Sequence, residues 1–222
     1  MYFQFLIEDM SSEILIRHVM DKIKRKYQDK EIYYNSRSFS GIGHLKNSGN
    51  LFERKGGNLL NNLRNYLRGF DRSLRNMDRA AIIVVLDNDR RDFKKFKSEL
   101  ERAACETMLL TDHVFCIAVK EMEAWLLGDE NAIWSAYPNA RRKYLRDYKQ
   151  DGICDTWEVL ANMLYPGGLT GLKKKMSVSQ NVVGKAKCEW ADKIGEMLDL
   201  DTNSSPSFQN FLYELEKRIA TV

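Results

Sequence analysis

The sequence predicts a three-layer α/β/α sandwich on a mostly parallel sheet, followed by an α-helical C-terminal extension. Three observations predict it. Apolar, strand-length runs alternate with amphipathic stretches through the first 120 residues, in the order β-α-β-α-β-α-β. Two of those runs, residues 80–86 and 114–119, are apolar at every position, as strands covered on both faces should be. From about residue 121 onward the strand signal stops and only helical periodicity remains.

Taken in order, residues 2–7 read as the first strand. Residues 11–28 follow as a helix, with Leu15, Val19, Ile23 and Tyr27 at i, i+4 steps and Asp9 or Ser11 placed to cap it. Residues 31–39 form a second strand. Residues 41–57 hold five glycines and read as a flexible flap; they lack the Gly-x-x-x-x-Gly-Lys-Ser/Thr spacing that cradles nucleotide phosphates. Residues 59–76 are helical and basic, and 80–86 make the central strand. Residues 91–108 return as a helix with Phe93, Phe96, Leu100 and Ala103 on one stripe, and 114–119 form the fourth strand. The extension has helical segments at 121–128, 130–137, 155–165, 185–198 and 207–220. Tyr165-Pro166-Gly167-Gly168 breaks the chain, and Asn203-Ser204-Ser205-Pro206 starts the last helix, whose Phe208, Phe211, Leu212, Leu215 and Ile219 share a face. The expected division is an α/β domain over residues 1–128 and a helical extension over 129–222 packed on it.

The chain has 222 residues, 44% hydrophobic and 30% charged, with a formal net charge of +4. That total says little about partners, but residues 54–97 carry twelve Lys/Arg against five Asp/Glu. Such a stretch attracts a phosphate backbone, and it also suits an ordinary solvated helix face. Four cysteines form no Cys-x-x-Cys pair, and three histidines complete no zinc pattern. Reduced thiols in a cytoplasmic protein are expected, with Cys116 packed inside a strand. The N-terminus has no basic region followed by an apolar stretch and cleavage site, so no signal peptide is expected. The longest apolar run, seven residues, is too short to span a bilayer.

The chemistry sits where strands end. The central run stops on Asp87-Asn88-Asp89, the first strand stops on Glu8, and the fourth runs into Glu121-Met122-Glu123. Ligand sites of open parallel sheets form at the carboxyl ends of strands. If the segment stays extended, Asp87 and Asp89 point the same way. Hard oxygen donors favour magnesium, manganese or calcium over zinc, and two such ions about 4 Å apart activate water and stabilise a leaving oxygen on phosphate. In a continuous helix Glu121 and Glu123 would lie about 200° apart. With Glu121 still on the strand end, both approach the site. The expected metal shell is therefore Glu8, Asp87, Asp89 and Glu121, with Glu123 as a further candidate. The alternative reading of any one of these acids is a helix N-cap, a role that suits Asp89 or Asp92.

Glu8 together with Asp87 and Asp89 resembles the signature of the Toprim domain of topoisomerases, bacterial primases and related nucleases. In that family the glutamate is usually followed by glycine; here Asp9 follows. Over nearly the whole chain Glu8, Glu121-Met122-Glu123-Ala124-Trp125, Gly184-Lys185 with Trp190-Ala191, and Ser205-Pro206-Ser207-Phe208 are similar to domain-of-unknown-function family 4276. That is a prokaryotic Toprim-like group often encoded beside ATPases in phage-defence and mobile loci. The resemblance implies a magnesium- or manganese-dependent nuclease acting on DNA or RNA, with Glu8 and Glu121 catalytic and Lys185 facing the scissile phosphate. The basic residues at 59–76 and Arg90-Arg91 would guide nucleic acid. Two other readings stay open: a non-enzymatic effector or partner subunit of an ATPase, and a hydrolase of a small nucleotide. No membrane partner is expected.

Overall fold

The computed structural model describes residues 1–43 and 58–220, so most of the glycine-rich stretch at 41–57 lies outside the described residues. The first half alternates as the hydrophobic pattern requires: β1 (Tyr2–Ile7), α1 (Met10–Lys26), β2 (Tyr33–Ser38), a 3-10 turn (Leu60–Asn62) leading into α2 (Leu63–Leu74), β3 (Ala80–Asp87), α3 (Phe93–Cys105) and β4 (Asp112–Ala118). The four strands form one sheet, all parallel, in the order β2-β1-β3-β4.

Period-2 alternation divides the apolar side chains of the central strands between two cores. Phe3, Phe5, Ile7, Ala81, Ile83 and Val85 face one way, against Leu15, Ile16, Val19, Met20 and Ile23 of α1. Leu6, Ile82, Val84 and Leu86 face the other way, against Leu63 and Leu67 of α2 and Phe96 and Leu100 of α3. A strand covered on both faces must be apolar throughout, and β3 is buried from Ala81 to Asp87. β2, at the sheet edge, alternates exposed and half-buried residues instead. Cys116 is fully buried on β4, and burial pushes its thiol up to about 12.

Seven helices follow: α4 (Glu123–Leu127), α5 (Glu130–Ala136), α6 (Lys143–Arg146), α7 (Thr156–Leu164), α8 (Gly168–Met176), α9 (Val182–Met197) and α10 (Pro206–Ala220). They cover the α1 face of the sheet. α9 lies along α1, α10 packs against β4, and the apolar core runs without a break across residue 128. The helices α6 and α8 were not expected from periodicity, being only four and nine residues long. The Tyr165-Pro166-Gly167-Gly168 break is where the chain turns back: Gly167 and Gly168 take φ of +75° and +67°, a region open to glycine. α8 then returns antiparallel along α7, with the Leu169 N–H on the Asn162 side chain and Lys173 on Glu158. Among the described residues no helix is long and apolar enough to cross a membrane.

Candidate functional site

The sheet order sets the position of the site. α1 leaves β1 toward one face, whereas α2 and α3 lie on the other. Crossovers diverging from adjacent parallel strands open a crevice at their carboxyl ends, and here that crevice lies between β1 and β3. Ile7 pairs with Val85 across the two strands. Glu8 directly follows Ile7 and Asp87 stands two residues beyond Val85, so both lie at the carboxyl ends of these neighbouring strands. Their contact is direct: the Asp87 N–H donates to Glu8 Oε2 at 2.8 Å.

This pair is electrostatically unfavourable by itself. Asp87 is 7% exposed. Burial pushes the Glu8 carboxyl up to about 7, opposed by the Asp87 N–H bond and reinforced by Asp89 and Asp9. Burial also holds Asp87 well above the usual carboxylate range, with Glu8 and Glu123 adding to the effect and Lys187 opposing it. Two acids out of water with like charges beside them favour either a proton or a cation. Asp87 Oδ1 accepts the Met122 N–H at 2.9 Å, which ties the β3 end to the start of α4.

Glu123 is 1% exposed, and the Lys187 ammonium stands 3.0 Å from its Oε1. The contact is an ion pair without hydrogen-bond alignment, since neither Glu123 oxygen receives a directional bond. Burial and the charges of Asp9 and Glu121 push the Glu123 carboxyl up, while Lys187 pulls it down. Burial opposes the charge on Lys187, but Glu123, Asp87 and Asp9 outweigh it and keep the ammonium protonated.

Two further residues of the expected site have other partners. Asp89 lies beyond the strand, with its charge still felt at Glu8. The strand ends at Asp87, and Asp89 takes a left-handed φ of +50°, so the extended-chain alternation no longer applies. Its carboxylate is bound instead by Arg91 at 2.7 Å. Glu121 has both oxygens engaged: one accepts the Asp155 N–H at 2.9 Å and the other the Thr156 hydroxyl at 2.7 Å, at the start of α7. Glu123 takes the place beside Asp87 that Glu121 was expected to hold. Lys185 is exposed on the outer face of α9. Two residues on, and about 200° around the helix, Lys187 points inward to the acids. Lys187 was missed although the pattern contained a signal. It sits at i, i+3, i+4, i+7 with Trp190, Ala191 and Ile194, all buried, so a lysine occupies a core-facing stripe. Asp92, by contrast, caps α3 through the Lys95 N–H, and Asp9 caps α1 through Ser12.

The donors of Glu8 and Asp87 fit a hard divalent cation: oxygens only, two carboxylates, partly desolvated. Among the described residues no group of three His, Cys, Asp or Glu side chains is assembled to hold a metal, because Asp89 and Glu121 are committed elsewhere. Just past the end of β3 a cleft of about 430 Å³ is lined by Asp89, Arg90, Arg91, Glu121, Cys154 and Asp155, and two of these, Arg90 and Asp155, pair at 2.8 Å.

The other motif residues hold this end of the sheet in place. Trp125 is fully buried, stacks on Phe211 at 5.1 Å and donates its indole N–H to Ser207 Oγ at 2.9 Å. Ser207 Oγ also accepts the Val119 N–H, and Asn203 donates to the Trp125 carbonyl at 2.7 Å. Gly184 leaves room for Asn181: a Cβ there would stand 2.3 Å from Asn181 Oδ1.

Fold and site together define a doubly wound parallel α/β protein with a buried carboxylate pair at its switch point. The chain belongs to the family described as Domain of unknown function (DUF4276), whose model matches residues 7–216 and so takes in both the acidic residues and the contacts of Trp125 with Ser207 and Phe211. No curated protein and no solved structure matches it.

Proposed function

We propose that this protein is a magnesium- or manganese-dependent phosphodiesterase, a nuclease of the kind its Toprim resemblance implies, working in a prokaryotic defence or mobile-element setting. The observation that carries this reading is the placement of Glu8 and Asp87, two desolvated acids at the carboxyl ends of adjacent strands, linked through the Asp87 N–H on the Glu8 carboxylate. When bound there, a divalent cation supplies Lewis-acid stabilisation of charge on a phosphate and a more acidic water.

The chain's own residues divide the remaining work. Glu8 and Asp87 supply the anionic oxygens. Lys187, kept protonated by the surrounding acids, places a fixed positive charge beside Asp87 where a phosphate would gather charge. Glu123 holds that ammonium in position, which makes Glu123 a positioning residue. Arg90 and Arg91 line the adjoining cleft and offer guanidinium groups that suit phosphate oxygens.

The test is cleavage of a mixed panel of single- and double-stranded DNA and RNA with magnesium or manganese, using Asp87→Asn and Glu8→Gln as controls. The expected result is metal-dependent cleavage lost in both variants while both stay folded. Cleavage that survives in folded D87N would sink the assignment. A chain that cleaves nothing and co-purifies with an ATPase would support the partner-subunit reading instead.

A further inference from the structure

The acidic site is bordered by an unusual stretch of sequence. Residues 159–188 contain five lysines, Lys173, Lys174, Lys175, Lys185 and Lys187, and no aspartate or glutamate, in a chain that carries 31 acids. One end of this stretch reaches the site, where Lys187 meets Glu123. Its middle lies near the cleft, outside the lining. Lys173 pairs with Glu158 at 2.9 Å, and Glu158 lies one turn, about 5 Å, along α7 from Asp155 at the cleft wall. Residues 173–181 are all exposed, and Lys174, Lys175 and Lys185 have no ion pair among the described residues.

The basic helix expected to guide nucleic acid is less well placed. Arg75 pairs with Asp71, and Asp71 accepts the N–H groups of Leu110 and Thr111, just before β4 begins. The Arg79 carbonyl accepts the N–H of Tyr2 at the start of β1. The C-terminal half of α2 and the turn after it therefore lie at the amino end of the sheet, opposite the acid pair.

We infer that the lysine segment of α8 and the α8–α9 turn is the rim that docks a nucleic-acid strand across the cleft, with the strand entering the site beside Lys187. The choice of a phosphate polymer rests on the phosphodiesterase reading. A strand is favoured over a lipid surface because the acid-free stretch continues into a crevice between strands, where an extended polyanion can follow and a bilayer cannot. A mononucleotide would have no use for Lys173–Lys175, which lie outside the cleft lining.

The test uses the full chain in EDTA, so that nothing is cleaved, with a fluorescent single strand of about 20 nucleotides read by anisotropy across a salt series. Neutralising three phosphate contacts on a single strand should flatten the slope of log K against log salt by about 2. Lys173→Gln/Lys174→Gln/Lys175→Gln is therefore expected to show that flattening and an affinity loss of roughly tenfold or more at low salt. The triple arginine variant should restore both, and circular dichroism should show all variants folded. An unchanged slope and affinity in the glutamine variant, no strand binding by the unaltered chain, or binding to phosphatidylserine vesicles but not to the strand would each overturn the rim. Manganese-dependent hydrolysis of bis(p-nitrophenyl) phosphate by the unaltered chain tests the chemistry separately. Lysine-dependent strand binding without that hydrolysis supports the rim and overturns the catalytic reading; hydrolysis without strand binding does the reverse.

Discussion

Lys187 and Glu123 face each other at 3.0 Å in the interior of the site, the glutamate almost wholly buried and the lysine side chain 20% exposed. Removing one partner leaves the other charge desolvated and alone. Lys187→Met is therefore expected to destabilise the protein by about 3–5 kcal/mol, read by urea denaturation. Replacing both, as Lys187→Met with Glu123→Leu, should recover most of that loss, because an apolar pair of similar volume avoids the desolvation cost. Lys185→Ala, at the exposed position, should stay within about 0.5 kcal/mol of the parent.

Glu8 gives the fold a pH dependence whose sign follows from its raised carboxyl. Its folded value of about 7 lies above the ordinary carboxylate range. Between those limits the folded state keeps a proton that the unfolded chain releases. Stability is then greatest below the ordinary range and falls as pH rises toward about 7. The contribution is on the order of 3 kcal/mol at most, and Asp87, also raised, acts in the same direction. Denaturation midpoints measured from pH 4 to pH 8 should decline through this window for the parent and flatten for Glu8→Gln. A midpoint that rises over the same interval would contradict the buried-acid description.

Manganese should oppose that decline. A cation that binds the folded state alone stabilises it in proportion to the logarithm of its concentration over Kd, about 2.7 kcal/mol at a hundredfold excess. The expected outcome is a metal-dependent rise in Tm that is larger at pH 8 than at pH 5, where protons compete for the same oxygens. Asp87→Asn should lose the response. A rise of equal size in D87N would place the cation elsewhere.

The sheet was legible in the sequence because β3 and the carboxyl-terminal part of β4 are unbroken apolar runs, β1 is apolar but for Gln4, and strand ends are abrupt. The positions of Glu8 and Asp87 were legible for the same reason: a charged residue where a buried apolar run stops is conspicuous. The partners of Asp89 and Glu121 were not legible, because backbone direction after a strand is not encoded in spacing. A left-handed φ at Asp89 turns the backbone there, and the start of α7, 34 residues away in the chain, supplies two donors that claim Glu121. Lys187 was overlooked in favour of its neighbour because the Gly184-Lys185 dipeptide drew attention to itself, while the core-facing stripe of α9 points to Lys187.

The role of Glu121 separates a metal ligand from a structural anchor. Its two oxygens bind the Asp155 N–H and the Thr156 hydroxyl, and Thr156 is completely buried. Glu121→Ala would leave the hydroxyl unpartnered away from water and the Asp155 N–H without its acceptor. An unsatisfied buried donor costs about 1–3 kcal/mol, so a loss near 2 kcal/mol is expected, or roughly 4–8 °C in Tm for a chain of this size. Because both side-chain oxygens are engaged at the start of α7, the manganese-induced rise in Tm should persist in the weakened protein with an unchanged concentration dependence. A variant that kept its stability and lost the metal response would return Glu121 to the metal shell and require α7 to release it on binding. The two outcomes differ in which quantity moves, so one melting series on one variant decides between them.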